Sequence, residues 1–202
     1  MKSLFLSSLL ALGLLAVPAQ AAEYPAKPIT LMTAFNAGGG SDVSHRLLEK
    51  FAKGVFDQPI VVTYKAGAGG EIGWTWLVGA KADGYTIGGV DLPHIVLQPM
   101  LRPEGQPGYK TEQLSPLCGL VYDADVVMVP EDGPYKTFKD LIGYAKANPG
   151  KVKVATVGKL TGDHLFLMQI EKLTGAKFTQ VPYSGSGKAI PALLSGEVDA
   201  YF

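Results

Sequence analysis

The sequence predicts an α/β protein built on parallel-rich sheets with flanking crossover helices. Three observations carry that expectation. Short β-compatible runs alternate with stretches of helical apolar spacing, before and after the middle of the chain. Gly-rich loops stand at three strand-to-helix junctions, residues 36–40, 66–70 and 158–162. Between the two alternating halves, Pro99 to Pro116 holds four prolines, Gly105 and Gly108 with little periodicity. That stretch is either a long surface connection or the approach to a second lobe.

The elements follow in order. Ile29 to Ala34 is apolar and β-compatible, and Asn36-Ala37-Gly38-Gly39-Gly40 ends it. Val43, Leu47, Leu48 and Phe51 then recur at helical spacing, with Ser41 as the expected N-cap. Ile60 to Tyr64 is a second strand, broken by Gly67-Ala68-Gly69-Gly70, after which Ile72, Trp76 and Leu77 open a helix. Of the two tryptophans on it, one is expected in the core and the other near the surface. Tyr85 to Val90 is a third strand, entered through Asp83-Gly84. Val126 to Val129 reads as a buried strand. Thr137-Phe138-Lys139-Asp140 fits a capping box, and Asn148-Pro149-Gly150 stops the helix it starts. Val152 to Val157, Phe178 to Pro182 and Val198 to Phe202 read as strands, with helices over Leu165 to Leu173 and Ala189 to Leu194.

Residues 1–21 read as a secretory signal peptide. Lys2 supplies a positive start, Leu4 to Val17 is an apolar run of h-region length, and Ala19-Gln20-Ala21 is a small-x-small cleavage signal. A short buried helix is the competing reading. No cysteine follows the cleavage point, so no lipid anchor is expected there. The product is expected to be exported and soluble.

Composition excludes several classes. Apolar residues are 47% of the 202 residues, enough for a packed core and against wholesale disorder. Lys plus Arg is 18 and Asp plus Glu is 18, so no general attraction to nucleic acid is expected. Cys118 is the single cysteine, which permits no internal disulfide and no Cys-rich zinc cluster.

The Gly-rich loops are the strongest chemical signal. Each leaves backbone N–H groups unpaired at a helix start, where glycine allows close approach of an anion. Three on the carboxyl edge of a parallel sheet mark a ligand site, although sharp structural turns would leave the same pattern. Gly67-Ala68-Gly69-Gly70-Glu71-Ile72-Gly73 departs by one residue from the dinucleotide fingerprint and follows the second strand, not the first. Asp42, His45 and Glu49 are spaced for one helix face and could hold zinc, but a solvated face is the expectation. His164 follows a glycine loop, where it either donates to a ligand carboxylate or supports the loop. His94 has nothing pointing to a role. Ser184-Gly185-Ser186-Gly187 only loosely resembles a nucleophile elbow.

A family resemblance rests on ordered motifs: Tyr24-Pro25-Ala26-Lys27-Pro28-Ile29, Ala34 through Asp42, Gly67 through Gly73, Asp83-Gly84-Tyr85-Thr86-Ile87, Tyr144 through Lys151, Thr161-Gly162-Asp163-His164-Leu165, Val181-Pro182-Tyr183-Ser184-Gly185 and Leu193 through Asp199. Together they resemble the Bug-type extracytoplasmic solute receptors of tripartite tricarboxylate transporters. The resemblance implies a two-lobed periplasmic binding protein, type II-like, that closes on a small organic carboxylate without chemistry or cofactor. It implies lobe one over residues 22–122 and lobe two over 123–202. Family members run longer and cross back to the first lobe, so the second lobe and its return hinge are expected to be incomplete. The implied ligand contacts are Phe35, Asn36, Ala37, Gly38, Gly39 and Asp42 in the first loop, and Gly69 and Gly70 in the second. On lobe two they are Gly158, Lys159, Thr161, His164, Tyr183, Ser184 and Gly185. Lys159 stands where the family often has a small residue, and either meets a second carboxylate or is solvated. The implied partners are the membrane permease subunits, with the receptor itself a periplasmic monomer. A periplasmic α/β hydrolase or metal-dependent enzyme, and a non-binding remnant of the family, are the alternatives.

Overall fold

The computed structural model describes residues 23–103, 105 and 107–202; the expected signal peptide lies outside them. Two three-stranded parallel sheets organise the chain. In the first, β1 (Ile29–Thr33) lies between β2 (Ile60–Tyr64) and β3 (Thr86–Gly88), with Leu31 opposite both Val62 and Ile87. In the second, β4 (Lys153–Thr156) lies between β5 (Thr179–Pro182) and β6 (Ala200–Tyr201), with Ala155 opposite Val181 and Tyr201.

Both central strands are apolar on both faces because helices cover both sides. Ile29 and Leu31 pack with Ile60 and Val62 under α1 (Gly40–Ala52), against Leu48 and Ala52. Met32 and Ala34 point the other way, into a cluster with Phe35, Trp74 and Ile95 under α2 (Glu71–Val78) and α3 (His94–Leu101). Trp74 is fully buried and its indole N–H donates to the Gly89 carbonyl at 3.1 Å, whereas Trp76 is partly exposed. Gly73 lets α2 lie directly on β1: a side-chain carbon there would fall 2.9 Å from the Ala34 Cα. The second sheet packs Leu141, Ala145, Val154, Leu167 and Ile170 on one face under α4 (Phe138–Ala147) and α5 (Gly162–Thr174). Its other face packs Ala155, Ala189, Leu193 and Val198 under α6 (Ser186–Leu194).

The capping box forms as read: the Asp140 N–H donates to Thr137 Oγ1 at 3.2 Å, and the Thr137 N–H to Asp140 Oδ2 at 2.9 Å. Four expectations need correction. Gly39, not Ser41, caps α1, and the Ser41 hydroxyl instead donates to Asp91 at 3.2 Å. On α1 it is Asp42 and His45 that are buried, while Val43, Leu47 and Phe51 are 54%, 50% and 69% exposed. The inner face of α1 is polar in its first half, where it meets Thr33 and Tyr64, and apolar at Leu48 and Ala52: His45 Nδ1 shares a hydrogen bond with Thr33 Oγ1 at 2.6 Å, and the Tyr64 hydroxyl donates to Asp42 at 2.7 Å. Val126 to Val129 forms no strand; only Met128 pairs, antiparallel to Tyr201, while Val127 and Val129 pack half-buried on the second core and Leu120 to Val126 lie exposed. Finally, α3 runs into the proline-rich stretch. Pro99 cannot donate to the Ile95 carbonyl, and that carbonyl is taken up by the hydroxyls of Thr111 at 3.1 Å and Tyr109 at 3.3 Å.

Candidate functional site

The carboxyl edges of the two sheets face each other, and the glycine loops meet across the gap. The Asn36 N–H donates to the Ser184 carbonyl at 3.2 Å, and Asn36 Nδ2 to Ser184 Oγ at 2.5 Å. The Gly40 N–H donates to Ser186 Oγ at 3.2 Å. Beside this seam, a side-chain carbon on Gly158 would sit 3.0 Å from the Gly69 Cα, so only glycine allows the two backbones to approach this closely, and its φ of +136° favours glycine as well.

An open cleft of about 740 Å³ lies along the second seam. Ala68, Gly69 and Arg102 line it from the first sheet's side, and Gly158, Lys159, Leu160, His164, Pro182, Tyr183 and Ser184 from the second. Ala68 and Leu160 both adopt left-handed backbone, at φ 52° and 61°, costing about 1 kcal/mol or more each. The two strained residues therefore sit on facing loops of one cleft.

Three nitrogen-bearing side chains converge there. Arg102 is held by an ion pair with Glu71 and by donation from Nη2 to the Ala68 carbonyl at 2.9 Å. Lys159 is exposed and makes no salt bridge among the described residues. His164 Nδ1 accepts the Leu160 N–H at 3.1 Å, which places its proton on Nε2 and leaves that N–H as a donor. Burial, with Lys159 nearby, lowers the His164 pKa. Tyr183 is pushed up to about 12 by burial and by its hydrogen bond to Glu197 at 2.8 Å, so its hydroxyl stays protonated. The cleft thus offers cationic and neutral donors and exposed backbone, suited to an anion.

Of the residues named from sequence, Gly69, Gly158, Lys159, His164, Tyr183 and Ser184 line this cleft. Asn36, Ala37, Gly39 and Gly185 lie on the adjoining seam: the Ala37 carbonyl faces Gly187, Gly39 faces the Ser186 hydroxyl, and Gly185 backs onto the Asn36 N–H. The Gly38 N–H donates to the Asp42 carboxylate at 2.7 Å. Burial raises the Asp42 pKa, but Gly38, Tyr64 and Arg46 outweigh it and hold the group below the usual range. The first loop's own carboxylate therefore occupies one of its N–H groups. Phe35 is buried edge-on to Trp74, Gly70 packs on the Trp74 ring, and Thr161 is buried with its hydroxyl donating to the Gly158 carbonyl at 2.7 Å. Among the described residues no group of three or more His, Cys, Asp or Glu side chains could hold a metal, and Asp42 and His45 are buried, not solvated.

Sequence reasoning missed Arg102, Ala68, Leu160 and Pro182. The signal for Arg102 was the spacing of His94, Gln98 and Arg102 at i, i+4 and i+8, concealed by Pro99.

Two α/β lobes joined at the carboxyl edges of parallel sheets define the periplasmic binding protein fold. The structure superposes on the periplasmic binding protein BugD with a TM-score of 0.76 at 28% identity, over 88% of this chain and 58% of that one. It superposes on MatC of Rhodopseudomonas palustris, solved with bound malate, with a TM-score of 0.79 at 26% identity, over 88% and 60%. The family model for the tripartite tricarboxylate transporter family receptor, TctC, matches residues 44–202, and the chain belongs to that family. Curated relatives include the UPF0065 protein in the gbd 5' region of Cupriavidus necator, 35% identical over 93% of this chain, and protein BugT of Bordetella pertussis, 35% identical over 92%. This chain spans about 57% of the length of each of those two relatives.

Proposed function

We propose that this chain captures a small organic di- or tricarboxylate in the periplasm and presents it to the membrane permease subunits of a tripartite tricarboxylate transporter. The single observation that carries the reading is the cleft in which Arg102, Lys159 and His164 surround facing backbone loops. Carboxylate oxygens would be held by N–H groups of the loops and by these side chains. A hinge motion that parts and closes the two lobes would admit and trap the ligand. The malate bound by MatC, on the same fold, supports the carboxylate class. The hydrolase reading finds less support. Ser184 Oγ accepts a hydrogen bond from Asn36 and Ser186 Oγ from the Gly40 N–H, and among the described residues no histidine or carboxylate is hydrogen-bonded to either hydroxyl.

The test is a thermal-shift and calorimetric panel of mono-, di- and tricarboxylic acids on the chain from Ala22. A ligand at 100 times its Kd stabilises by about 2.7 kcal/mol, or roughly 5–10 °C for a chain of this size. A shift confined to di- or tricarboxylates supports the reading. A cooperative melt that no acid moves overturns it.

A further inference from the structure

His94 opens α3 on the first lobe and is 7% exposed. Its ring stands edge-on to Phe35 at 6.0 Å and tilted to Trp74 at 6.0 Å, which fixes its orientation. Its Nδ1 is buried without a hydrogen-bond partner, a state that native interiors rarely leave uncompensated. The ring's Cε1, bonded to both nitrogens, faces the first residue of α5 on the other lobe. A side-chain carbon on Gly162 would lie 3.6 Å from that Cε1, an ordinary contact, so a gap the size of one heavy atom separates the ring from the helix start. The first N–H groups of α5, a 13-residue helix, have no carbonyl acceptor within the helix and carry the positive end of its dipole; the Asp163 carboxylate takes up only its own N–H among them.

The same face of α3 runs outward from His94 to the open cleft. Gln98, one turn on, is buried and donates to the Gly69 carbonyl at 2.8 Å. Arg102, a further turn on, lines the cleft beside Lys159. We infer that His94 is the inner ligand contact of this receptor: Nδ1–H donates to a carboxylate oxygen seated in the gap at the start of α5, while Arg102 and Lys159 take a second carboxylate nearer the mouth. Burial lowers the His94 pKa to about 4, so the imidazole is neutral at pH 7 and carries one N–H donor, in keeping with that role. The ligand class is a short dicarboxylate, and the inference rests on the carboxylate reading above.

Malate, succinate and tartrate are titrated calorimetrically into the parent chain and the variants Gly162→Ala, His94→Leu and His94→Asn. Gly162→Ala fills the gap at a position with no strained φ, and is expected to keep the parent's melting temperature while weakening dicarboxylate binding roughly tenfold or more. His94→Leu is expected to weaken binding by a similar factor. His94→Asn, whose amide nitrogen falls close to the Nδ1 position, should retain binding to within roughly threefold. On ligand addition the His94 Nδ1 resonance should move in the parent. A parent that binds none of the three acids overturns both the carboxylate reading and this inference. A parent that binds, with Gly162→Ala binding equally well, overturns the inference alone.

Discussion

Asn36 and Ser184 are joined twice across the boundary between the sheets, once through the backbone and once at 2.5 Å between Asn36 Nδ2 and Ser184 Oγ. Asn36 lies in the loop after β1 and Ser184 in the loop after β5, 148 residues apart in sequence. This pair latches the lobes together, because the side-chain bond exists only when the two carboxyl edges are in contact. Replacing Asn36 with Ala should cost about 1 kcal/mol, a fall of roughly 2–4 °C in melting temperature. The double variant with Ser184→Ala should cost less than the sum of the two single changes. Strictly additive melts would show that the bond contributes nothing.

Gly39 faces the same seam. Its φ of −89° is open to any residue, but a side-chain carbon there would meet the Ser186 hydroxyl at 2.8 Å. Gly39→Val should therefore hold the lobes apart and weaken carboxylate binding at least tenfold, while each lobe keeps its core. Far-UV circular dichroism should be unchanged, and calorimetry should register the loss.

Lys159 is exposed on the cleft wall. Lys159→Ala should leave the melting temperature unchanged and weaken a dicarboxylate by roughly three- to tenfold, with the difference shrinking as salt rises. A monocarboxylate should lose less. Equal losses for both ligand classes would place Lys159 against the first carboxylate instead.

Burial raises the Asp163 pKa from 3.8 to about 6, against the Val157 N–H that donates to it at 2.8 Å. Between those values the folded state binds the proton that the unfolded chain has released, so this group's contribution to stability falls as pH rises from about 4 to about 6. Beyond pH 6 the loss is complete, up to about 3 kcal/mol. His94 acts in the opposite sense: its pKa drops from 6.5 to about 4, so stability is lost as pH falls through that window. In urea melts, the Asp163→Asn profile minus the parent profile should rise from pH 4 to pH 6 and then level off. A flat difference would mean that Asp163 is not buried in solution.

Val43, Leu47 and Phe51 form an exposed apolar line on α1, and Val55 beyond it is 73% exposed. Phe51→Lys should change stability by less than about 0.5 kcal/mol and should reduce self-association in light scattering. A large fall in stability would show that the ring is covered in solution.

Local chemistry made much of this protein legible in its sequence. The Thr137 capping box, the glycine breaks and the short β-branched runs act over a few residues, and their elements lie within a few residues of where the sequence places them. The cleft was legible in part. Gly69 and Gly158 stand in, and His164 just after, loops with a recognisable strand-to-helix pattern. Arg102 and His94 carry no such local mark. Their helix contains Pro99, and it is stable because Thr111 and Tyr109, from a later turn, satisfy the carbonyl that Pro99 cannot.

The orientation of α1 shows the same division. Of the apolar residues at helical spacing, Leu48 packs on the sheet while Val43, Leu47 and Phe51 face away from it, because the Thr33–His45 and Tyr64–Asp42 hydrogen bonds turn the polar edge of the first turns toward the sheet. By itself the sequence determined the α/β class, the glycine loops and most of the strands and helices, though not α3 or the lack of a strand over Val126 to Val129, because each of those it did determine follows from propensity and spacing within a short window. Only the tertiary structure decided which loops meet, that Asn36 reaches Ser184, and that His94, Gln98 and Arg102 form one column toward the cleft. Those outcomes depend on contacts between residues distant in sequence, whose energies exist only once both sheets have formed.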